Sequence, residues 1–136
     1  MKDCILCKIA KGLEKSYIIY EDENTIAFAP LPNTIIAKRH LAVIPKNHYE
    51  NIYDIPEIEL FNVMKTVKHI SSKLKSKFDA QGINILHASG TVAQQSVFHF
   101  HLHLIPRYFN DNLDTWPDTG YKENDYPEVY LEMKDL

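Results

Sequence analysis

Short apolar runs recur along the chain, each bounded by turn-forming or polar residues. Runs of this length, rich in branched and aromatic residues and separated by turn signals, are typical of β-strands. Pro45 ends the third run, as expected for a buried strand whose ladder cannot continue through proline. The pattern predicts a short helix over residues 4–11 and strands over residues 16–21, 25–29, 41–44, 83–87 and 97–105.

One long helix is predicted between the third and fourth strands, from near Asp54 to near residues 80–82. Asp54 and Glu57 have the spacing of a capping box, and Pro56 suits a first turn. Apolar residues then recur at helical intervals, with lysines between them: Ile58, Phe61, Val67, Ile70, Leu74 and Phe78. A run of strands around one long helix predicts the α+β class.

The composition limits the class of protein. A chain of 136 residues is one ordinary domain, and 45% hydrophobic with 24% charged residues supports a folded core. The formal net charge is −3. Domains that bind a nucleic acid polymer through its backbone carry an excess of Lys and Arg, so this class is not expected, whereas a single nucleotide needs only a local pocket.

The chain has no apolar stretch near the roughly 20 residues that span a membrane. Charges at Lys2, Asp3, Lys8 and Lys11 leave no room for the apolar part of a signal peptide, which predicts a cytosolic protein without membrane association. Both cysteines fall in one CxxC, Cys4 and Cys7. In a reducing compartment that spacing indicates metal or redox chemistry, with two unbound thiols as the plain alternative.

The segment that carries the chemistry is the last predicted strand, where His99, His101 and His103 alternate with apolar residues. Alternation predicts that the three histidines share one face, and that Phe98, Phe100, Leu102 and Leu104 pack on the long helix. A buried histidine row is costly unless its ring nitrogens find partners. The row could bind a metal through all three histidines, act in nucleophilic catalysis, or be a solvated strand face.

The residues around the histidines resemble the histidine-triad (HIT) family. The sequence His99-Phe100-His101-Leu102-His103-Leu104-Ile105 fits the family's alternating motif, and Gln95-Ser96-Val97 precedes it as in the family. The family order is also matched upstream by Cys4-Ile5-Leu6-Cys7, Tyr20-Glu21-Asp22, Ala27-Phe28 and the segment from His40 to His48. The resemblance covers residues 4–107 and leaves residues 108–136 as a C-terminal extension, predicted to be irregular and laid over the surface or a partner.

The resemblance implies a five-stranded antiparallel sheet, a homodimer with one continuous sheet, and a nucleotide ligand. It implies that His101 attacks the α-phosphorus and that His103 lies against the phosphate oxygens. Gln95 and Ser96 would hydrogen-bond the phosphate and leaving group, helped by backbone N–H groups of residues 90–95, although plain strand-edge polarity would explain both residues equally. His40 is expected to have only a supporting or packing role, and His69 and His87 are most simply structural.

The resemblance also implies a zinc site. Some family members with this CxxC hold zinc through two cysteines, the histidine of a Pro-Lys-x-His segment and the first triad histidine. Those positions correspond to Cys4, Cys7, His48 and His99. Four such ligands give the closed coordination of a structural site.

Some positions depart from the family pattern. Pro30 stands where an acidic residue commonly holds the ribose, Ala88 replaces an asparagine, and Arg39 replaces a glycine. Gln94, which is also a candidate substrate-binding residue, replaces a glycine just before Gln95, and its side chain narrows the backbone approach to phosphate. Leu6, Ile9 and Phe28 are candidates for an apolar base or leaving-group pocket, with an ordinary core as the equal alternative.

These observations predict a hydrolase or transferase that acts at a nucleotide α-phosphate through a nucleotidyl-histidine. Dinucleoside polyphosphates and nucleoside phosphoramidates are the expected substrate types. One alternative is a nucleotide-binding or scaffold protein with vestigial catalysis. A second alternative is a metal-dependent enzyme in which all three histidines are ligands.

Overall fold

The fold is built on one antiparallel sheet in a computed structural model that describes residues 3–122, 126–134 and 136. Its strands are β1 (Ile18–Glu21), β2 (Thr25–Phe28), β3 (Leu41–Pro45), β4 (Gly82–Leu86) and β5 (Leu102–Arg107). They lie in the order β1-β2-β3-β5-β4, and every neighbouring pair is antiparallel. The helices are α1 (Ile5–Ala10), α2 (Glu57–Phe78) and α3 (Tyr126–Glu132). The predicted α+β fold is confirmed.

Side-chain alternation gives the sheet two apolar faces. Ala27, Val43 and Leu104 belong to a buried cluster on the face that packs against α2. Ile26 and Ile44 belong to a second cluster on the opposite face, where α1 packs. Burial of each such side chain contributes about 1.5–3 kcal/mol for the larger residues. Because β2 and β3 alternate in phase, one pair of strands supplies both clusters.

The predicted start of the long helix is wrong. The helix begins at Glu57, its N-cap is Pro56, and no side chain caps it. The Asp54 carboxylate instead accepts hydrogen bonds from the backbone N–H groups of Glu50 and Asn51, both at 2.9 Å. Asp54 therefore stabilises the turn before the helix. Proline disfavours helical backbone at the residue before it, so Pro56 delays the start of α2.

The predicted inward face of α2 is also partly wrong. Val67, Ile70 and Leu74 are buried as predicted, but Ile58 and Phe61 are 66% and 68% exposed. Phe78 is half-exposed as well, and the remaining buried positions of the helix are Val63 and Thr66. At 100° per residue, Phe61 lies about 160° around the helix from the buried Val63. The helix therefore has two apolar faces, of which the sheet covers one.

The last strand starts later than predicted. Phe100, Leu102 and Leu104 pack in the cluster against α2, as predicted, but Phe98 is 44% exposed. Regular strand begins only at Leu102, and the N–H of Phe100 donates to the Tyr49 carbonyl at 2.6 Å instead of to a neighbouring strand. Residues 97–101, which precede β5, are therefore held by individual contacts and not by a strand ladder.

The C-terminal extension begins with an anchor. The Arg107 guanidinium pairs with Asp111 at 2.7 Å and donates to the Asn84 side chain on β4, also at 2.7 Å. The prediction that the extension is irregular is wrong for α3, which has Glu128 in its first turn. Residues 123–125 and 135 of the extension lie outside the described residues. Within the part of the chain that the structure describes, no helix is long and apolar enough to cross a membrane.

Candidate functional site

A cavity lies between α1 and the adjacent face of the sheet. It has a volume of about 110 Å³ and opens to solvent. The register of β3 and β5 sets Ala42 opposite His103, which carries the His103 side chain to this face. Six of the predicted site residues line the cavity: Leu6, Ile9, Phe28, Ser96, His101 and His103. Apolar side chains dominate the rest of the wall, and the polar exceptions are the hydroxyls of Ser16 and Thr34.

The His101 imidazole has a defined tautomer. Its Nδ1 lies 2.6 Å from the His99 carbonyl oxygen, which can only accept a hydrogen bond. Nδ1 therefore carries the proton and donates it. In the neutral ring, Nε2 is left with an unprotonated lone pair, which is the form that a nucleophile or a metal ligand requires.

His103 has the complementary tautomer, and His40 sets it. The N–H of Ile36 donates to His40 Nδ1 at 3.2 Å, so His40 carries its proton on Nε2. That Nε2–H donates to His103 Nδ1 at 2.9 Å. His103 is thereby left with an N–H on Nε2, which suits a donor to a phosphate oxygen. The supporting role expected for His40 corresponds to this contact.

Burial keeps these histidines neutral. Desolvation lowers the pKa of His101 and that of His40 below the ordinary value of histidine. Desolvation, together with repulsion from His101, His40 and His87 whenever those rings are protonated, lowers the pKa of His103 to about 4. At neutral pH the cavity therefore presents one bare ring nitrogen and one ring N–H side by side, with the His101 and His103 ring centroids 5.0 Å apart.

The loop that precedes the histidines is held by Gln95, which is buried and does not line the cavity. Its Oε1 accepts from the Gly90 N–H at 2.8 Å, and its Nε2 donates to the Glu50 and Val97 carbonyls. The side chain therefore fixes the loop, and a direct contact with the leaving group stays a prediction. Ser96, by contrast, lines the cavity with its neighbour Val97.

The backbone N–H groups of residues 90–95 were expected to bind phosphate, but at four of those positions they already have other acceptors. The N–H of Gly90 is taken by Gln95, and those of Ala93, Gln94 and Gln95 donate to carbonyls of Gly90 and Thr91. Because all four N–H groups already donate within residues 90–95, they do not point outward to an anion. Gln94 itself is exposed with φ of 70°, a left-handed backbone that favours glycine.

A second group of side chains meets on the other side of α1. Cys4, Cys7, His48 and His99 bring one ligand atom each within 4.8 Å of one another. Cys7 Sγ lies 3.2 Å from His48 Nδ1 and 3.4 Å from His99 Nδ1, and the two Nδ1 atoms are 3.3 Å apart. Around a tetrahedral zinc with ordinary bond lengths, sulfur and nitrogen ligands are about 3.5 Å apart and two nitrogens about 3.3 Å apart. The spacing fits a zinc ion.

The donors in this cluster are also oriented for a cation. His99 is fully buried, and its Nε2 lies 3.0 Å from the Pro45 carbonyl, which requires Nε2 to carry the proton. Nδ1 of His99 is then an unprotonated ligand atom, fixed in the way that outer hydrogen bonds fix metal-bound histidines. The Cys7 N–H donates to Cys4 Sγ at 3.4 Å, at the N-terminus of α1.

Burial disfavours the charged forms of the side chains in this cluster. Desolvation lowers the pKa of His99 to about 4. Desolvation and the Cys4 side chain raise the pKa of the Cys7 thiol. A divalent ion would compensate the thiolate charge, and neutral imidazoles would complete the shell.

Two side chains near the site, His87 and Ser89, were given no role in the site from the sequence. His87 Nδ1 lies 2.9 Å from the His101 carbonyl, and His87 Nε2 lies 2.6 Å from Ser89 Oγ. A structural role alone was expected for His87. The pairing of β4 with β5 sets Leu86 opposite His103, and it so brings the next residue, His87, to the histidine segment. His69 lies on α2, and its ring centroid is 5.0 Å from that of Tyr20.

Comparison with known proteins places the chain among HIT proteins. The profile described as "HIT domain" matches residues 11–110. An uncharacterised HIT-like protein of Methanocaldococcus jannaschii is 40% identical over 132 residues, which cover 96% of this chain and 98% of that relative. An adenosine 5′-monophosphoramidase of Candida albicans is 35% identical over 108 residues, covering 76% of this chain and 70% of the relative.

One similar solved structure contains zinc. The zinc-bound histidine-triad protein of Mycobacterium smegmatis superposes with a TM-score of 0.76 at 32% identity, covering 87% of this chain and 84% of that one. The profile match begins at residue 11, after both cysteines. The assignment of the cluster therefore rests on its own geometry.

Proposed function

Because this chain belongs to the HIT family, we propose that it hydrolyses or transfers a nucleotidyl group through a nucleotidyl-histidine at His101. The observation that carries the proposal is the pair of opposite tautomers in the cavity. His101 offers an unprotonated Nε2, and His103 beside it offers an N–H. Transfer at phosphorus gains most from a positioned nucleophile and a fixed hydrogen-bond donor beside it.

In the first step, the lone pair of His101 Nε2 attacks the α-phosphorus. A bond forms between phosphorus and nitrogen while the bond to the leaving group breaks, and the leaving group departs with that electron pair and takes up a proton from water. The His101 ring becomes positively charged, and the Nδ1–H bond to the His99 carbonyl at 2.6 Å stabilises that charge. The N–H of His103 donates to a phosphate oxygen.

In the second step, water attacks phosphorus and the bond to His101 breaks. The electron pair returns to Nε2, a proton from the water is released, and a nucleoside monophosphate leaves. An inorganic or sugar phosphate in place of water would make the same reaction a transfer. The apolar wall formed by Leu6, Ile9 and Phe28 suits a base, so the ligand is a small nucleotide. A nucleic acid polymer is not the proposed ligand.

The covalent intermediate gives the test of this function. We would mix the protein with adenosine or guanosine phosphoramidate, or with a dinucleoside polyphosphate, and quench into alkaline denaturant within milliseconds to seconds. The expected result is a transient mass increase equal to one nucleoside monophosphate per chain, located on His101 by peptide mass spectrometry. Formation of the adduct should be faster than its decay in water, and the rate of decay should match the turnover rate.

Three outcomes separate this function from its alternatives. An adduct that decays faster when phosphate is added would favour transfer. Tight nucleotide binding without adduct or turnover would overturn the proposal in favour of a binding or scaffold protein. Immediate loss of turnover on chelation, in a protein that stays folded, would favour the enzyme in which all three histidines bind metal.

We propose that Cys4, Cys7, His48 and His99 hold zinc in this chain. The support is the tetrahedral spacing of their ligand atoms and the zinc-bound relative. Zinc supplies a cross-link here and no chemistry at phosphorus, because four protein ligands close its coordination. The ligands come from α1, from the segment after β3 and from the segment before β5. The site therefore ties these segments together behind the cavity.

We also propose that two chains form a homodimer with one continuous sheet. β4 is an edge strand of the sheet, with one side of its backbone not paired to any strand of the described residues, and Ile85 on it is 46% exposed. Ile58, Phe61 and Met64 recur every third residue on α2 and are 43–68% exposed. Apolar rows and edge strands of this kind are typically covered by a partner.

Replacement of Phe61 by aspartate tests the dimer. A charge placed in an apolar interface should raise the dissociation constant on the order of 30-fold or more, because a buried aromatic contact contributes about 2 kcal/mol or more. Sedimentation velocity across a concentration series measures the shift. Phe109→Asp is the matched control, since Phe109 is 80% exposed and lies in the extension. A wild-type protein that sediments as one chain at all concentrations would contradict the dimer.

A further inference from the structure

His87 follows the last residue of β4 and stands behind the nucleophile, outside the cavity. Its ring packs on Phe100, with the ring centroids 4.5 Å apart, and its Nδ1 lies 2.9 Å from the His101 carbonyl oxygen. His87 does not belong to the histidine row of the motif and does not line the cavity. It nevertheless contacts the backbone of the residue that we place at phosphorus.

The tautomer of His87 follows from its partners. The His101 carbonyl can only accept, so His87 Nδ1 carries the proton and donates it. Nε2 is then an acceptor, and the Ser89 hydroxyl donates to it at 2.6 Å. Ser89 Oγ in turn accepts from the Ile52 N–H at 3.0 Å. A directed chain of three hydrogen bonds thus runs from the segment before α2 to the His101 peptide.

The position of this chain matters because His101 lies outside the strand ladder. β5 begins at Leu102, and residues 97–101 are not in regular strand. The ring of His101 is held by the His99 carbonyl, but ring hydrogen bonding alone does not fix the peptide that carries it. His87 supplies a side-chain hydrogen bond to that peptide where the strand ladder ends.

We infer that His87 is a positioning residue for His101. By fixing the His101 carbonyl, it sets the direction in which Nε2 points into the cavity. This inference rests on the proposed function of the same site. Misplacement of a reacting atom by about 1 Å can cost on the order of 100-fold in rate, so loss of this hydrogen bond should slow the chemical step and leave nucleotide binding nearly unchanged.

Two substitutions separate positioning from packing. His87→Phe keeps a ring against Phe100 and removes the donor to the His101 carbonyl. His87→Asn removes the ring and keeps an amide N–H near the place of Nδ1. A positioning role predicts that the Phe variant fails and the Asn variant rescues. A packing role predicts the reverse order.

The rate of adduct formation under single turnover is the first measurement. We expect His87→Phe to lower it about 10- to 100-fold with less than about a threefold change in nucleotide affinity, and His87→Asn to stay within about fivefold of wild type. His69→Phe is the matched control for a histidine-to-phenylalanine change. Equal rates for wild type and His87→Phe would overturn the inference, and so would equal losses in both variants.

A second measurement does not depend on activity. Long-range ¹⁵N NMR of the histidine rings reports the tautomer of His101, which should be protonated on Nδ1 in wild type and in His87→Asn. In His87→Phe it should become a mixture, because the peptide that aligns His101 with the His99 carbonyl is released. An unchanged His101 tautomer in His87→Phe would overturn the inference, whether or not the wild-type protein is active. An inactive wild-type protein would overturn only the proposed function.

Discussion

Replacement of His101 by alanine is expected to abolish turnover, with a rate loss on the order of 10⁴-fold or more. The reason is that no other side chain of the described cavity wall offers an unprotonated ring nitrogen beside the His103 N–H. The measurement is steady-state hydrolysis of a nucleoside phosphoramidate, paired with mass spectrometry of the quenched protein. Nucleotide affinity should change little, because the apolar wall that holds the base is intact.

The controls for this prediction test whether the loss is chemical. His69→Ala, on the exposed side of α2, should turn over like wild type. His101→Gly supplied with free imidazole should recover part of the rate, because the small molecule can occupy the vacated space and attack phosphorus. A His101→Ala protein that keeps turnover within tenfold of wild type, or still forms an adduct on a histidine, would place the nucleophile elsewhere.

Substitution of Cys7 by serine is expected to destabilise the whole chain. The hydroxyl has nearly the same volume as the thiol but is a poor zinc ligand at neutral pH. Loss of a structural zinc should lower the unfolding free energy by several kcal/mol and the melting temperature on the order of 10 °C or more. Calorimetry with and without a chelator measures the change, and elemental analysis should find one zinc per wild-type chain.

The same experiment distinguishes a structural ion from a catalytic one. For a structural ion, chelated protein at low temperature should lose activity only as it unfolds, and His69→Ala should keep its zinc and its melting temperature. Wild-type protein purified without zinc, or a Cys7→Ser protein as stable as wild type, would contradict the zinc proposal. A purely redox pair would instead give a disulfide between Cys4 and Cys7 under mild oxidation.

Sequence patterns predicted the elements well because the signals are local. The run Leu41-Ala42-Val43-Ile44 became β3, buried throughout, and its proline closed the strand. The triad alternation correctly predicted that Phe100, Leu102 and Leu104 pack against α2. These predictions depend only on which neighbours share a face, and a side-chain period of two or 3.6 residues decides that.

The errors have one cause in common. Asp54 had the spacing of a cap, Phe98 the phase of a core residue, and Phe61 the spacing of a buried helix face. In each case, contacts other than those implied by the pattern decided the place of the residue. Asp54 bonds the preceding turn, the sheet covers the other side of α2, and the chain around Phe98 is bonded to the Tyr49 carbonyl.

By itself, the sequence determined the fold class, the order of the elements and, through the histidine motif, the family and the candidate nucleophile. Only the tertiary structure decided the protonation pattern, because a ring nitrogen's role depends on which donor or acceptor lies within about 3 Å of it. The bonds from His40 to His103 and from His87 to the His101 carbonyl join elements through space. The same holds for the cysteine and histidine cluster, whose four ligands span residues 4–99 and meet only when the sheet and α1 are packed together.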